Sequence, residues 1–306
     1  MAIVAAAVFL PPLFSNAEPS DISPISSSQE SAPVLASETS EPVEATPEAT
    51  EPNVQPVSET GAEDEDVYDD SGLPMRLVPA GEFEMGSNDS AYPEDQPAHT
   101  VYLDDFFIDK YEVPNWSYRE CVNEGVCSLP SNTSSVTRPD YFENPGYDSY
   151  PVIYVDWEMA VTYCEEWRGA FLPSEAQWEK AARGTDGRSY PWGEDIDSSL
   201  ANYNGDVGDT TAIGAYEGGQ SVYGVYDMSG NVWEWVTDWY DESYYKSLGE
   251  YTENPTGPSG GEFHVLRGGS WVNEEDIVRV FTRGWNDLAY FEFTDFGFRC
   301  ARDTAP

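Results

Sequence analysis

Between Gly184 and Pro306 the chain shows no helical periodicity, and its short hydrophobic pieces are interrupted repeatedly by Gly, Asn, Asp and Pro. Such a segment is expected to fold as irregular loops with few and short strands. Loops of this length in a compact domain need something else to immobilise them, and metal ions and disulfides are the candidates. The stretch YGVYDMSGNVWEWVTDWY, Tyr223 to Tyr240, sharpens the question, because it sets Trp233, Trp235 and Trp239 beside Asp227, Asn231, Glu234 and Asp238. Large aromatics bury apolar area, whereas carboxylates are rarely fully buried unless they are paired or hold a metal. The stretch is either an aromatic core with a solvated acidic edge or a loop tied down by a cation.

An even number of cysteines, four, in a chain with an apparent export signal reads as two disulfides. Cys121 and Cys127 are close enough to close a small loop around Gly125, leaving Cys164 and Cys300 for a long-range staple, one of three possible pairings. The apparent signal, residues 1–17, is the apolar run Ala2 to Phe14 followed by the small residues Ser15 and Ala17. It is too short to span a bilayer. No Lys or Arg precedes it, so it is an atypical signal or the true start lies upstream. No other stretch is long and apolar enough to cross a membrane, so no integral membrane segment is expected after signal removal. The protein is expected to be exported, to a periplasm, a cell surface or the extracellular space. With only His99 and His264 and no cysteine pairs at zinc spacing, no zinc site is expected.

Residues 18–70 carry 15 acidic side chains and no Lys or Arg, in a Ser, Pro, Glu, Thr and Ala background. Such a composition cannot bury enough apolar surface to offset its ordering entropy, which predicts a disordered linker. The rest of the chain still holds 42 of the 57 acidic residues against all 14 basic ones. That balance excludes nucleic acid and anionic membrane surfaces as partners, since both require clustered Lys and Arg. It suits divalent cations and cationic partners.

Order is expected from near Leu73. MRLVPAGEFEMGS reads as two strands about a turn at Pro79 to Gly81, and HTVYLDDFFIDKYEV as further strands with Val101, Leu103, Phe106 and Ile108 in the core. Asn115 is placed as the N-cap of a first helix bearing Trp116, Tyr118, Cys121 and Val122, which ends at Gly125. PVIYV, from Pro151, reads as a short buried strand. Asp156 then caps a helix whose face carries Trp157, Ala160, Val161, Cys164 and Trp167. A third helix follows Pro173, with Ser174 and Gln177 as a capping box and Trp178, Ala181 and Ala182 facing inward.

The motifs FxMGS (Phe83 to Ser87), PVxxVxW (Pro151 to Trp157), LPSEAQWEKAARG (Leu172 to Gly184), PWG (Pro191 to Gly193), GNVWEW (Gly230 to Trp235), RGGSW (Arg267 to Trp271) and GFRCA (Gly297 to Ala301) occur in this order. Together they resemble the sulfatase-modifying factor, or formylglycine-generating enzyme, domain over residues 73–304. The resemblance implies an α+β fold with little regular secondary structure, a variant of the C-type lectin fold. It also pairs Cys164 with Cys300, and it implies two structural calcium ions. The first would be held by the side chains of Asn202 and Asp206 and the carbonyls of Tyr203 and Gly208. The second would be held by the side chains of Asp227 and Glu234 and the carbonyls of Gly230 and Val232. Hard oxygen donors drawn from loops are what calcium takes.

The resemblance also implies a pocket at Trp233, Ser270, Asn273 and Arg279, with the acidic run Glu274, Glu275 and Asp276 at its floor or lying as a solvated loop. Formylglycine-generating enzymes bind copper(I) through two cysteines after the GGS motif, a soft-ligand site. Here Asn273 and Val278 occupy those positions, so a copper site and cysteine oxidation are not expected. The sulfoxide synthases that resemble this domain need a His-rich iron site, for which two histidines do not suffice. What remains is a binding module for a peptide, glycan or protein, using polar and aromatic groups from Ser270 to Arg283 and Trp285. The alternative is an enzyme of this family with a non-cysteine site in the same pocket, where Glu274 and Asp276 would serve as acid and base.

Overall fold

The computed structural model describes residues 65–287 and 294–306. The expected signal and most of the expected linker lie outside the described residues. Where the linker was expected to run on to Asp70, the structure instead forms strand β1 (Val67–Tyr68), paired antiparallel with β2 (Pro74–Val78). Carboxylates hold this segment down. Asp66 pairs with Arg76 and Lys110, and Asp69 with Arg168 and Arg302. Counting charge without its partners placed the boundary too late.

β2 and β3 (Gly81–Met85) flank the expected turn. β4 (His99–Leu103) and β5 (Phe106–Asp109) follow as expected, but they separate into different sheets. β2 and β5 join β1 and the C-terminal β11 (Ala301–Arg302) in one four-stranded sheet. β3 and β4 join β7 (Tyr251–Glu253) in a three-stranded sheet. Helix α1 covers Asn115–Asn123. Its N-cap is Pro114 and not Asn115, whose side chain is buried and donates to the carbonyl of Tyr147. PVIYV is not a strand: Pro151 makes one isolated bridge to Pro114, and Tyr154 adopts φ 60°, which ends any extended run. Helix α2 (Trp157–Val161) begins on the Asp156 cap as expected and continues as a π-helical turn, Thr162–Trp167, with Cys164 buried. α3 (Glu175–Arg183) starts on the Ser174–Gln177 capping box.

The half expected to be irregular contains a second four-stranded sheet. Its central strand β6 (Trp233–Trp239) pairs parallel with β10 (Phe296–Phe298) and antiparallel with β8 (Phe263–Arg267), which pairs with β9 (Arg283–Asp287). A short helix, α4 (Tyr244–Leu248), was also not foreseen. β6 escaped a period-two reading because both of its faces are covered, so Trp233 through Val236 are buried in an unbroken run. Trp239 is only half-buried and stacks on His264, which lies between it and Trp157 with ring centroids 4.0 and 3.8 Å away. Burial in this sandwich pushes the imidazole down to about 4, so His264 is neutral at neutral pH.

Two disulfides close the frame, Cys121–Cys127 and Cys164–Cys300. The latter ties the π-helical turn to the C-terminal sheet. α3 is buried on all sides, and its charges form an internal lattice. Glu175 accepts from Arg283 at 2.7 and 3.0 Å, and Glu179 accepts from Arg267 at 2.5 Å and from Arg183 at 2.8 Å. Lys180 donates to the carbonyls of Pro79 and Gly81, and burial lowers its ammonium to about 8.

Candidate functional site

The turn leading into β6 has left-handed backbone at Asp227, Gly230 and Asn231 (φ 59°, 84° and 60°). At Gly230 a Cβ would stand 2.3 Å from the carbonyl oxygen of Asn202, so only glycine lets the two loops meet. Beneath the turn Glu112, Asp227 and Glu234 are buried, and Arg299 donates to both oxygens of Glu234 at 2.6 Å. Trp178 Nε1 donates to Glu234 Oε2 at 2.9 Å. Glu112 accepts from Asn231 Nδ2 at 2.6 Å and from the Val232 amide at 3.2 Å. Asp227 accepts from the Gly214 amide at 2.6 Å. Burial, and then the neighbouring carboxylates, push the Glu112 carboxyl well above its usual range, and burial pushes Asp227 up to about 6. Among the described residues one guanidinium, Arg299, bonds to these three buried carboxylates, which leaves a deficit of positive charge.

Among the described residues, no three His, Cys, Asp or Glu side chains gather as a metal cluster, so the expected calcium sets rest on mixed donors. For the first set the donor chemistry fits. Asn202 is buried, its Nδ2 donates to the Asp209 carbonyl and to Asn231 Oδ1, and its Oδ1 has no partner. Asp206 and the loop around it are exposed, and the Tyr203 carbonyl accepts the Asp206 amide at 3.2 Å. The buried acid of this loop is Asp209, which sequence reasoning passed over. It accepts from Ser135, from Thr137 and from Arg138. For the second set the charge deficit fits a cation, although Glu234 Oε2 already accepts two hydrogen bonds and only Oε1 keeps room for another contact.

Among the described residues, no contact joins all four of the residues expected in one pocket. Ser270 and Asn273 meet: the Ser270 amide and hydroxyl both lie 2.9 Å from Asn273 Oδ1. Trp233 is wholly buried in the core and presses on Gly284. Arg279 turns away to pair with Asp276 and line a cavity of about 250 Å³ with Glu84, Asp89 and Glu194, whose walls include neither Ser270 nor Asn273. Glu274, Glu275 and Asp276 are exposed, the solvated-loop reading of that run. Val278 is fully buried against Gly269.

A partner missed in the sequence is Asp295, buried beside Ser270, whose hydroxyl is 2.7 Å from Asp295 Oδ2. Burial raises this carboxyl to about 6. A raised carboxyl favours the folded state below the unfolded value near 4, and that contribution is lost as pH rises through about 6. Asp295→Asn is therefore expected to be more stable than the parent at pH 7.5 by about 2 kcal/mol and to lose most of that advantage at pH 4.5. Urea unfolding at the two pH values measures it.

Short sheets, few helices, long loops and two disulfides about a buried polar turn define a mixed α+β domain with little regular secondary structure. A profile described as the sulfatase-modifying factor enzyme 1-like domain matches residues 65–304. The chain is 39% identical over 241 residues to serine/threonine-protein kinase Pkn1 of Chlamydia trachomatis, covering 75% of this chain but only 38% of that protein. It is 31% identical over 288 residues to formylglycine-generating enzyme of Mus musculus, covering 76% of each. The solved structure of PvdO from Pseudomonas aeruginosa superposes with a TM-score of 0.65 at 24% identity, over 78% of this chain and 98% of that one. The chain belongs to the FGE-sulfatase, or sulfatase-modifying factor, family.

Proposed function

We propose that this protein is an exported, calcium-stabilised binding module for a peptide, glycan or protein surface, without cysteine-oxidising activity. One observation carries the reading. At the two positions where the oxidase chemistry requires thiolates stand the Asn273 amide, hydrogen-bonded to Ser270, and the Val278 side chain, packed in the interior. All four cysteines are in disulfides, so no described thiol can substitute. The two disulfides support export to an oxidising compartment. Among the described residues no helix is long and apolar enough to cross a membrane.

Asn202, Asp206 and the carbonyls of Tyr203 and Gly208 would hold one calcium. Asp227, Glu234 and the carbonyls of Gly230 and Val232 would hold the other. Bound calcium supplies positive charge that the carboxylates under the turn lack. Arg299 holds Glu234 in place, and Glu112 holds the turn from behind. Calcium at about 1 mM is expected to raise the melting temperature of chelator-stripped protein by several degrees, as ligands that bind only the folded state do. Metal analysis showing no bound calcium, with melting indifferent to chelator, would contradict this part of the reading.

A further inference from the structure

We infer that Asn231 couples the two calcium sites, so that occupancy of one raises the affinity of the other. The inference rests on the calcium reading above. Asn231 is buried, and both ends of its side-chain amide are hydrogen-bonded. Nδ2 donates to Glu112 Oε2 at 2.6 Å, while Oδ1 accepts from Asn202 Nδ2 at 3.2 Å and from Thr211 N and Oγ1 at 2.8 and 3.2 Å. Its backbone amide donates to the Asn202 carbonyl at 2.8 Å, and its own carbonyl accepts the Trp271 amide at 3.0 Å.

These bonds serve both ligand sets at once. By taking the Asn202 amide nitrogen, Asn231 and the Asp209 carbonyl fix which way the Asn202 side chain is turned, and Oδ1, the atom expected to ligate, is the one left without a partner. Asn231 also stands between Gly230 and Val232, whose carbonyls belong to the second set. Its left-handed φ and the Glu112 bonds to Asn231 Nδ2 and Val232 N hold the backbone of that turn. An ion that immobilises either set therefore orders the residue that orients the other, and the second ion meets a site already organised. Asn231 is a positioning residue: it supplies no ligand atom.

The test is a calorimetric calcium titration of the chelator-stripped full chain at a temperature where near-UV circular dichroism shows it folded, beside Asn231→Gly and, as a neighbouring control, Thr211→Val. Glycine tolerates the left-handed backbone, so Asn231→Gly deletes the amide without forcing the turn. The parent and Thr211→Val are expected to bind two ions, the second at least about fivefold more tightly than independent sites allow. Asn231→Gly is expected to bind two ions independently, with the first weaker. Two independent ions in the parent, or coupling undiminished in a folded Asn231→Gly, would overturn the inference and leave the calcium reading standing. If the glycine variant does not fold, Asn231→Asp, which tolerates left-handed backbone and loses the donor to Glu112, is read in its place, and undiminished coupling there overturns the inference just the same. No calcium binding in the parent would overturn both.

Discussion

Arg267→Met is expected to lower the stability of the domain by about 3–5 kcal/mol, roughly 10 °C or more in melting temperature for a domain of this size. Arg267 is fully buried at the end of β8. It donates to Glu179 Oε2 at 2.5 Å and to the carbonyls of Val280, Phe281 and Thr282 at 2.6, 3.1 and 3.0 Å, and it lies 3.5 Å from Glu175 Oε1. Methionine fills much of the volume but leaves three carbonyls without this donor and Glu179 with Arg183 and the Gly86 amide as its remaining partners. Removing one member of a buried pair costs far more than the pair contributes, because the other charge stays buried. Arg188 and Asp186 make the contrast. Asp186 is the exposed member, 56% accessible at its side chain, while Arg188 keeps its bond to the Pro191 carbonyl, so Asp186→Ala is expected to cost under about 1 kcal/mol. Chemical denaturation of both variants measures the difference, and equal losses would mean that the lattice is not what holds α3 to the sheet.

The second large effect is expected at Cys164–Cys300. This bridge closes 136 residues of chain, whereas Cys121–Cys127 closes six. In the chain-entropy model the long bridge stabilises by about 5 kcal/mol and the short one by about 2. The double alanine variant at Cys164 and Cys300 should therefore fold poorly at 37 °C, while the variant at Cys121 and Cys127 should remain folded with a modestly lower midpoint. Both long-bridge cysteines are fully buried, so their loss also leaves a void between the π-helical turn and β10–β11. Comparable midpoints for the two variants would count against the staple role.

Local signals were read from the sequence most reliably. The capping box at Ser174 and Gln177, the Asp156 cap, the Pro79–Gly81 turn and the inward Cys164 each depend on residues within a few positions of one another. Motif order carried the family and the fold. What stayed hidden depends on contacts between distant segments. Glu112 looks like any acid in DKYEVPN until the fold sets it beneath Asn231, 119 residues on. Arg299 and Asn231 stood inside recognised motifs without a role, because their work is to serve carboxylates and an amide from other loops. Asp295 shows nothing in TDFGF of its burial beside Ser270. The strand at β6 was hidden because two-sided burial erases alternation. The pocket at Ser270 was expected to gather Trp233 and Arg279 as well, yet one packs into the core and the other turns to a different cavity.

The proposed loss of oxidase chemistry from an intact family frame is tested chemically. A peptide containing Cys-x-Pro-x-Arg is incubated with the purified protein, copper and oxygen, beside a cysteine-containing formylglycine-generating enzyme, and its mass is followed. The peptide cysteine is expected to emerge unchanged from this protein and converted by the active enzyme. Formylglycine produced by this protein would contradict the account, since neither Asn273 nor Val278 can bind copper(I) as a thiolate does.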